Sequence, residues 1–205
     1  MKVIIRGFDR YLRRRLGVFE FCERPDCVLR VRKTLAARAV PLPGGEIPAG
    51  APVVELHLWN EHVPPIPSEG PDLAWAVQFH RRLIASYREL AVRIRDEPRY
   101  SDVQAVGGVT VLPMISTGGR ESGLFERLGF VVRPYRGPLA RFGEFWETLY
   151  TWAIMWTYNQ ATLRGRGLLR LRRSEIWMRV DEFLRRYGED EEAVMSQKRA
   201  QKARS

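Results

Sequence analysis

Hydrophobic and polar positions recur along this chain in two rhythms, and the switches between them predict the order of its elements. Residues 27–35, CVLRVRKTL, alternate: Cys27, Leu29, Val31 and Leu35 share one side with Lys33, while Val28, Arg30, Arg32 and Thr34 share the other. This predicts a half-exposed strand with its basic residues mainly on the wet side. Residues 53–60, VVELHLWN, alternate too, with Val54, Leu56 and Leu58 on one face and Glu55, His57 and Trp59 on the other. The PLPGGEIPAGAP segment between them reads as a turn, because Gly44-Gly45 and the prolines Pro41, Pro43, Pro48 and Pro52 rule out helix.

The rhythm then lengthens. Leu73, Ala76, Val77, His80, Leu83, Ile84, Tyr87, Leu90, Ala91 and Ile94 recur at helical spacing, with Asp72 or Ser68 as the cap and Pro98 as the stop. On that face His80 reads as a hydrogen-bonded core histidine. Residues 103–114 are β-rich, with a bulge expected at Gly107-Gly108. ESGLFERLG is a short helix stopped by Gly129, FVVRP a strand, EIWM a final strand, and VDEFLRRYG a helix closed by Gly188.

Residues 137–178 break both rhythms. Phe142, Phe145, Trp146, Leu149, Tyr150, Trp152, Ala153, Ile154, Met155, Trp156 and Tyr158 cover nearly every side of a helix. Such a helix is buried almost all round, as a central core element. The rival reading has its tryptophans and tyrosines lining a pocket or resting at a membrane surface. Glu144 and Glu147 leave it too short an apolar run to span a bilayer. Residues 7–16 read as a basic amphipathic helix with Arg10, Arg13, Arg14 and Arg15 outward, and the tail 189–205, acidic then basic, is expected to be disordered or a fraying helix. The expected organisation is a single α+β domain over 1–188. Within it, 1–20 is a basic N-terminal helix and 139–188 an aromatic helix with a C-terminal extension.

Composition adds charge to this picture. The 205 residues carry a formal charge of +10, and only Lys2, Lys33, Lys198 and Lys202 are lysines, so the excess is arginine. Arginine forks fit carboxylates and phosphates, which implies an anionic ligand or membrane surface as partner; a charge spread over a solvated surface is the plain alternative. Cys22 and Cys27, spaced C-x4-C with no second pair, read as reduced thiols. The N-terminus has too short an apolar run for a signal peptide, so the chain is expected to be cytoplasmic, in peripheral contact with membrane at most.

The His and carboxylate cluster is Glu55, His57, Glu61 and His62. Glu55 or His57 has the chemistry of a general base, and the set has the chemistry of metal ligands, but its spacing matches no metal motif and a hydrogen-bonded structural role is favoured. No nucleophile elbow or P-loop is present. Arg164, Gly165, Arg166 and Gly167, followed by Arg170, fit an anion cradle of backbone N–H groups and guanidinium forks, or simply a turn with solvated arginines. Candidate pocket residues are Trp59, His62, Tyr135, Trp146 and Trp152.

Two families are similar. The order strand, strand, long helix, β-rich segment, short helix, strand, together with GLFERLGFVV, resembles the GNAT N-acetyltransferase fold. That implies a GNAT-like mixed sheet flanked by helices, acyl-CoA as cofactor and Glu55 as base. The expected Q/R-x-x-G-x-G/A loop before the long helix is replaced by NEHVPPIPSEGPD. More of the chain, through GAPVVELHLWNEHVP, AVGGVTVLP, RLGFVVRPYRGPLARFGEFWETLYTW and RRSEIWMRVDEFLRRYG, resembles the bacterial YkoP-like domain, which occurs alone and attached to polysaccharide deacetylases. This implies an accessory role in envelope polysaccharide metabolism with a deacetylase-type partner. The expected function is accordingly a non-catalytic or cryptic accessory module with an arginine-rich anion-binding surface and no cofactor. An acyl-CoA-dependent acyltransferase with Tyr100 or Tyr135 as acid comes second, and a nucleic-acid binder last.

Overall fold

A computed structural model describes residues 17–59, 61–65, 67, 69, 72–110, 123–135 and 174–188. The predicted N-terminal helix, the aromatic helix and the charged tail lie outside the described residues. Seven strands and three α-helices are described: β1 (Leu29–Leu35), β2 (Val40–Leu42), β3 (Gly45–Ile47), β4 (Pro52–Leu58), α1 (Leu73–Asp96), β5 (Ala105–Thr110), α2 (Leu124–Arg127), β6 (Val131–Pro134), β7 (Ser174–Arg179) and α3 (Val180–Tyr187). The α+β class expected from the sequence is what forms.

The main sheet has five strands in the order β1-β4-β5-β7-β6. Only β4 and β5 run parallel. That parallel step needs a crossover, and α1 supplies it, 24 residues long and capped by Asp72, whose Oδ1 accepts from the Trp75 N–H at 2.7 Å. The PLPGG segment does more than turn: β2 and β3 form a small hairpin, with Gly44 (φ 82°) and Gly45 (φ 129°) in the left-handed region its tight corner requires.

One face of the sheet presents Val31, Val54, Leu56, Val106, Ile176 and Met178 to the helices. The helices answer with Phe79, Leu83, Leu90 and Phe183 around a fully buried Tyr87, whose ring meets Phe130, Phe183 and Tyr187 at centroid distances of 5.4, 5.8 and 5.1 Å. Ser86 is the polar exception in the α1 stripe: its Oγ accepts from the Val28 N–H at 2.9 Å and donates to the Arg82 carbonyl at 2.8 Å, tying the entry of β1 to the helix. On the opposite face the hairpin packs Val40, Leu42 and Ile47 over Val53 and Ala105, with Trp177 at the margin.

Three expectations are corrected. In the first turns of α1 the buried side is Trp75 and Phe79, stacked at 5.0 Å, while Leu73 is 78% and Val77 42% exposed and His80 is exposed rather than core. The larger rings take the interior, and Trp75 gains a hydrogen bond from Nε1 to the Pro64 carbonyl at 2.9 Å. Gly107 and Gly108 make no bulge, since β5 and β7 pair one to one from Ala105↔Arg179 to Thr110↔Ser174. In β1, Arg30 is buried and Leu35 is 62% exposed, the reverse of the alternation's promise.

Candidate functional site

The face turned away from the helices carries the ionisable residues. Register sets Arg30 opposite His57 and Arg32 opposite Glu55 across β1 and β4, then Gly107 beside Glu55 and Trp177 beside Gly107. The row Arg32, Glu55, Gly107, Trp177 thus draws one residue from each of four strands.

Arg32 grips Glu55 with two donors: its Nε reaches Oε2 at 3.0 Å, and Nη2 donates to the same oxygen. The Nε2 of His57 stands 3.6 Å from that oxygen and makes no hydrogen bond. Burial pushes the Glu55 carboxyl upward, but His57 and Arg32 outweigh it and hold the group at about 2. A carboxylate so stabilised is a weak proton acceptor at neutral pH. The structure therefore brings the two candidate catalytic residues together, with Glu55 engaged as the counter-ion of Arg32.

Glu61 and His62 go elsewhere. Arg30, 5% exposed, donates to Glu20 Oε1 at 2.9 Å and to Glu61 Oε2 at 3.4 Å, and its guanidinium lies 4.5 Å from the Trp59 ring centroid. Trp59 also stacks on His62, with centroids 3.7 Å apart and planes 12° off parallel. His62 Nδ1 lies 2.8 Å from the Cys27 carbonyl, which can only accept, so Nδ1 carries the proton there. Trp59 and His62 form a strap that fastens the end of β4 to the start of β1, with the Trp59 N–H on the Val28 carbonyl at 2.8 Å.

The hairpin leaves a cleft at each end. Between its tip and the start of α3 is one of about 490 Å³, lined by Trp177, Arg179, Asp181, Glu182 and Arg185 among others. The Nε1 of Trp177 is buried without a hydrogen bond. At the other end a cleft of about 300 Å³ is lined by Arg38, Val40, Arg133, Pro134 and Glu175. Nothing in the sequence flagged this set: Arg38 and Glu175, joined at 2.5 Å, are 137 positions apart. Arg32 as the partner of Glu55 was closer to hand, since two facing alternating strands invite cross-strand charge pairs.

Tyr135 follows β6, half-buried and outside both clefts. Tyr100 is buried in the helix-side core with its hydroxyl unpaired, so it does not share a face with Glu55. Trp146, Trp152, Arg164, Gly165, Arg166, Gly167 and Arg170 lie outside the described residues. Among the described residues no three His, Cys, Asp or Glu side chains are grouped to hold a metal ion, and no helix is long and apolar enough to cross a membrane. Cys22 and Cys27 are free and buried.

Fold and site together define an α+β protein with a helix-covered face and an arginine-carboxylate face on one mixed sheet. The family model described as the YkoP domain matches residues 21–187, and the chain belongs to that family. No curated protein and no solved structure matches it.

Proposed function

We propose that this protein is a non-catalytic accessory module that binds an anionic ligand or partner surface in bacterial envelope polysaccharide metabolism, working in the cytoplasm or at the membrane periphery beside a deacetylase-type partner. The observation that carries the non-catalytic part is the state of Glu55. Its carboxylate is clasped by Arg32 and held at about 2, so the best-placed candidate base serves charge pairing instead of proton transfer. The envelope connection rests on the resemblance of the YkoP-like domain to modules attached to deacetylases. The test is flotation of the full chain with vesicles of phosphatidylglycerol and phosphatidylcholine at low and high salt. Retention that weakens as salt rises supports the reading; none, or retention indifferent to salt, counts against it.

A second reading, an acyl-CoA-dependent acyltransferase of GNAT-like build, is favoured by one feature. The parallel ladder between β4 and β5 ends at Glu55↔Gly107, although β4 continues to Leu58 and β5 to Thr110. Any parting at which an extended ligand arm would pair lies beyond Leu56 and Gly108, which are still in close backbone approach. Leaving aside the β2–β3 hairpin, the order strand, strand, long helix, strand, short helix, strand among the main-sheet strands and their helices supports the same build. Calorimetric titration with acetyl-CoA, with Glu55→Ala as control, separates the two: saturable heat favours the transferase, and its absence leaves the binding module.

A further inference from the structure

We infer that the cleft between Arg38 and Arg133 is a binding site for a small ligand bearing a carboxylate or phosphate group. The inference rests on the anion-binding reading above and gives it a location. Arg133 and Glu175 are direct partners on β6 and β7, so their side chains leave the same face of the sheet. A cross-strand ion pair would be expected there. Instead Glu175, 7% exposed, is taken by Nη2 of Arg38, which arrives from the segment before the hairpin. Arg133 is left half-buried with no ion pair among the described residues.

Two arginines thus line a cleft of about 300 Å³ that holds one carboxylate, and that carboxylate is engaged by Arg38 alone. A partly desolvated cation without a counter-ion is costly, and an incoming anion removes that cost while meeting a fork whose donors are in place. Glu175 fixes Arg38 against the cleft wall, so the second fork is held rather than free to swing. The volume, at the small end of ligand pockets, suits a compact anion. The two arginines come from opposite ends of the fold, 95 positions apart by number, and only the tertiary structure makes them neighbours.

The experiment is a 1H–15N correlation titration of the full chain with inorganic phosphate and, separately, with acetate at constant ionic strength. The expected result is saturable shifts at the amides of Ala39, Val40 and Glu175. Arg133→Gln should weaken binding by about tenfold or more, Arg133→Lys by less because it keeps the charge and loses the fork, and Arg81→Gln, an exposed arginine on α1, should leave it unchanged. Response to phosphate alone assigns a phosphorylated ligand; response to both admits a carboxylate. Shifts scattered over exposed arginines, or saturable binding that Arg133→Gln leaves intact in a spectrum of native dispersion, overturn the inference. If the cleft fails in this way while anionic vesicles still float wild type and Arg133→Gln alike, the broader anion-binding reading survives it.

Discussion

The indole of Trp177 occupies the place where a side chain on Gly107 would stand. A Cβ there would lie 2.3 Å from Trp177 Cε3 and 2.3 Å from the Ile176 carbonyl oxygen. The two residues are register partners on β5 and β7, and the missing side chain lets the ring lie across the sheet toward the strand that carries Glu55. The glycine pair expected to bulge therefore serves close approach, with Gly108 likewise crowded by the Leu56 carbonyl oxygen at 2.6 Å.

Gly107→Ala is accordingly expected to destabilise the fold by about 3 kcal/mol or more, at the top of the range for overpacking, because backbone as well as ring must shift. Gly50→Ala is the comparison: nothing lies within 4 Å of its Cβ, and only its φ of +81° opposes the change, for about 1 kcal/mol. Urea denaturation of both variants checks the order. Equal losses would show that Trp177 moves aside without cost.

Glu55 sets an acid limit. Its folded carboxyl is held at about 2 against the ordinary 4.5, so the folded state binds the proton less readily than the unfolded chain. The resulting stability, about 3 kcal/mol, is present above pH 4.5 and is lost as pH falls from there toward 2. Glu55→Gln should lower stability at pH 7 and flatten that part of the acid limb in a series of thermal melts. An unchanged acid limb would mean that Arg32 and His57 do not hold the charge.

The Cys22 thiol is pushed up to about 12, first by burial and also by the neighbouring Cys27 sulfur. At neutral pH it has almost no thiolate, and its side chain is out of reach. Native protein should react with an aromatic disulfide reagent far more slowly than protein in guanidinium chloride, which should show two thiols. Rapid labelling of the native state would place the loop before β1 in exchange with an open form.

Tyr187 donates its hydroxyl to the Leu128 carbonyl at 2.6 Å, both groups being buried. Tyr187→Phe leaves that carbonyl without its donor and is expected to cost about 1–2 kcal/mol. Burial also raises the phenol to about 12 from the ordinary 10, so its contribution is complete below pH 10 and declines as pH rises toward 12. The variant should lose part of that alkaline slope. Stability measured from pH 8 to 11.5 decides it.

The alternation of β4, the caps of α1, the short helix before Gly129 and the closing strand and helix were all legible because each is a local pattern: side chains two or about four positions apart compete for the same interior. Legibility failed where large groups at a distance chose the side. Trp75 and Phe79 turned the first turns of α1 away from Leu73, Val77 and His80, since a ring buries more apolar area than the residues the period selected. Arg30 was drawn inside by Glu20, Glu61 and the face of Trp59, partners that no spacing rule links to it.

The sequence alone determined the α+β class, the order of the described elements apart from the β2–β3 hairpin, the arginine excess and the presence of Glu55 and His57 on one strand face. Tertiary structure decided what those residues do. Register placed Arg32 against Glu55 and turned a possible base into a counter-ion, and the hairpin carried Arg38 to Glu175 and left Arg133 beside them without an ion pair among the described residues. The physical reason is range: backbone propensity and hydrophobic period act over a few residues, whereas the pairing of charges depends on which strands become neighbours after the chain has folded.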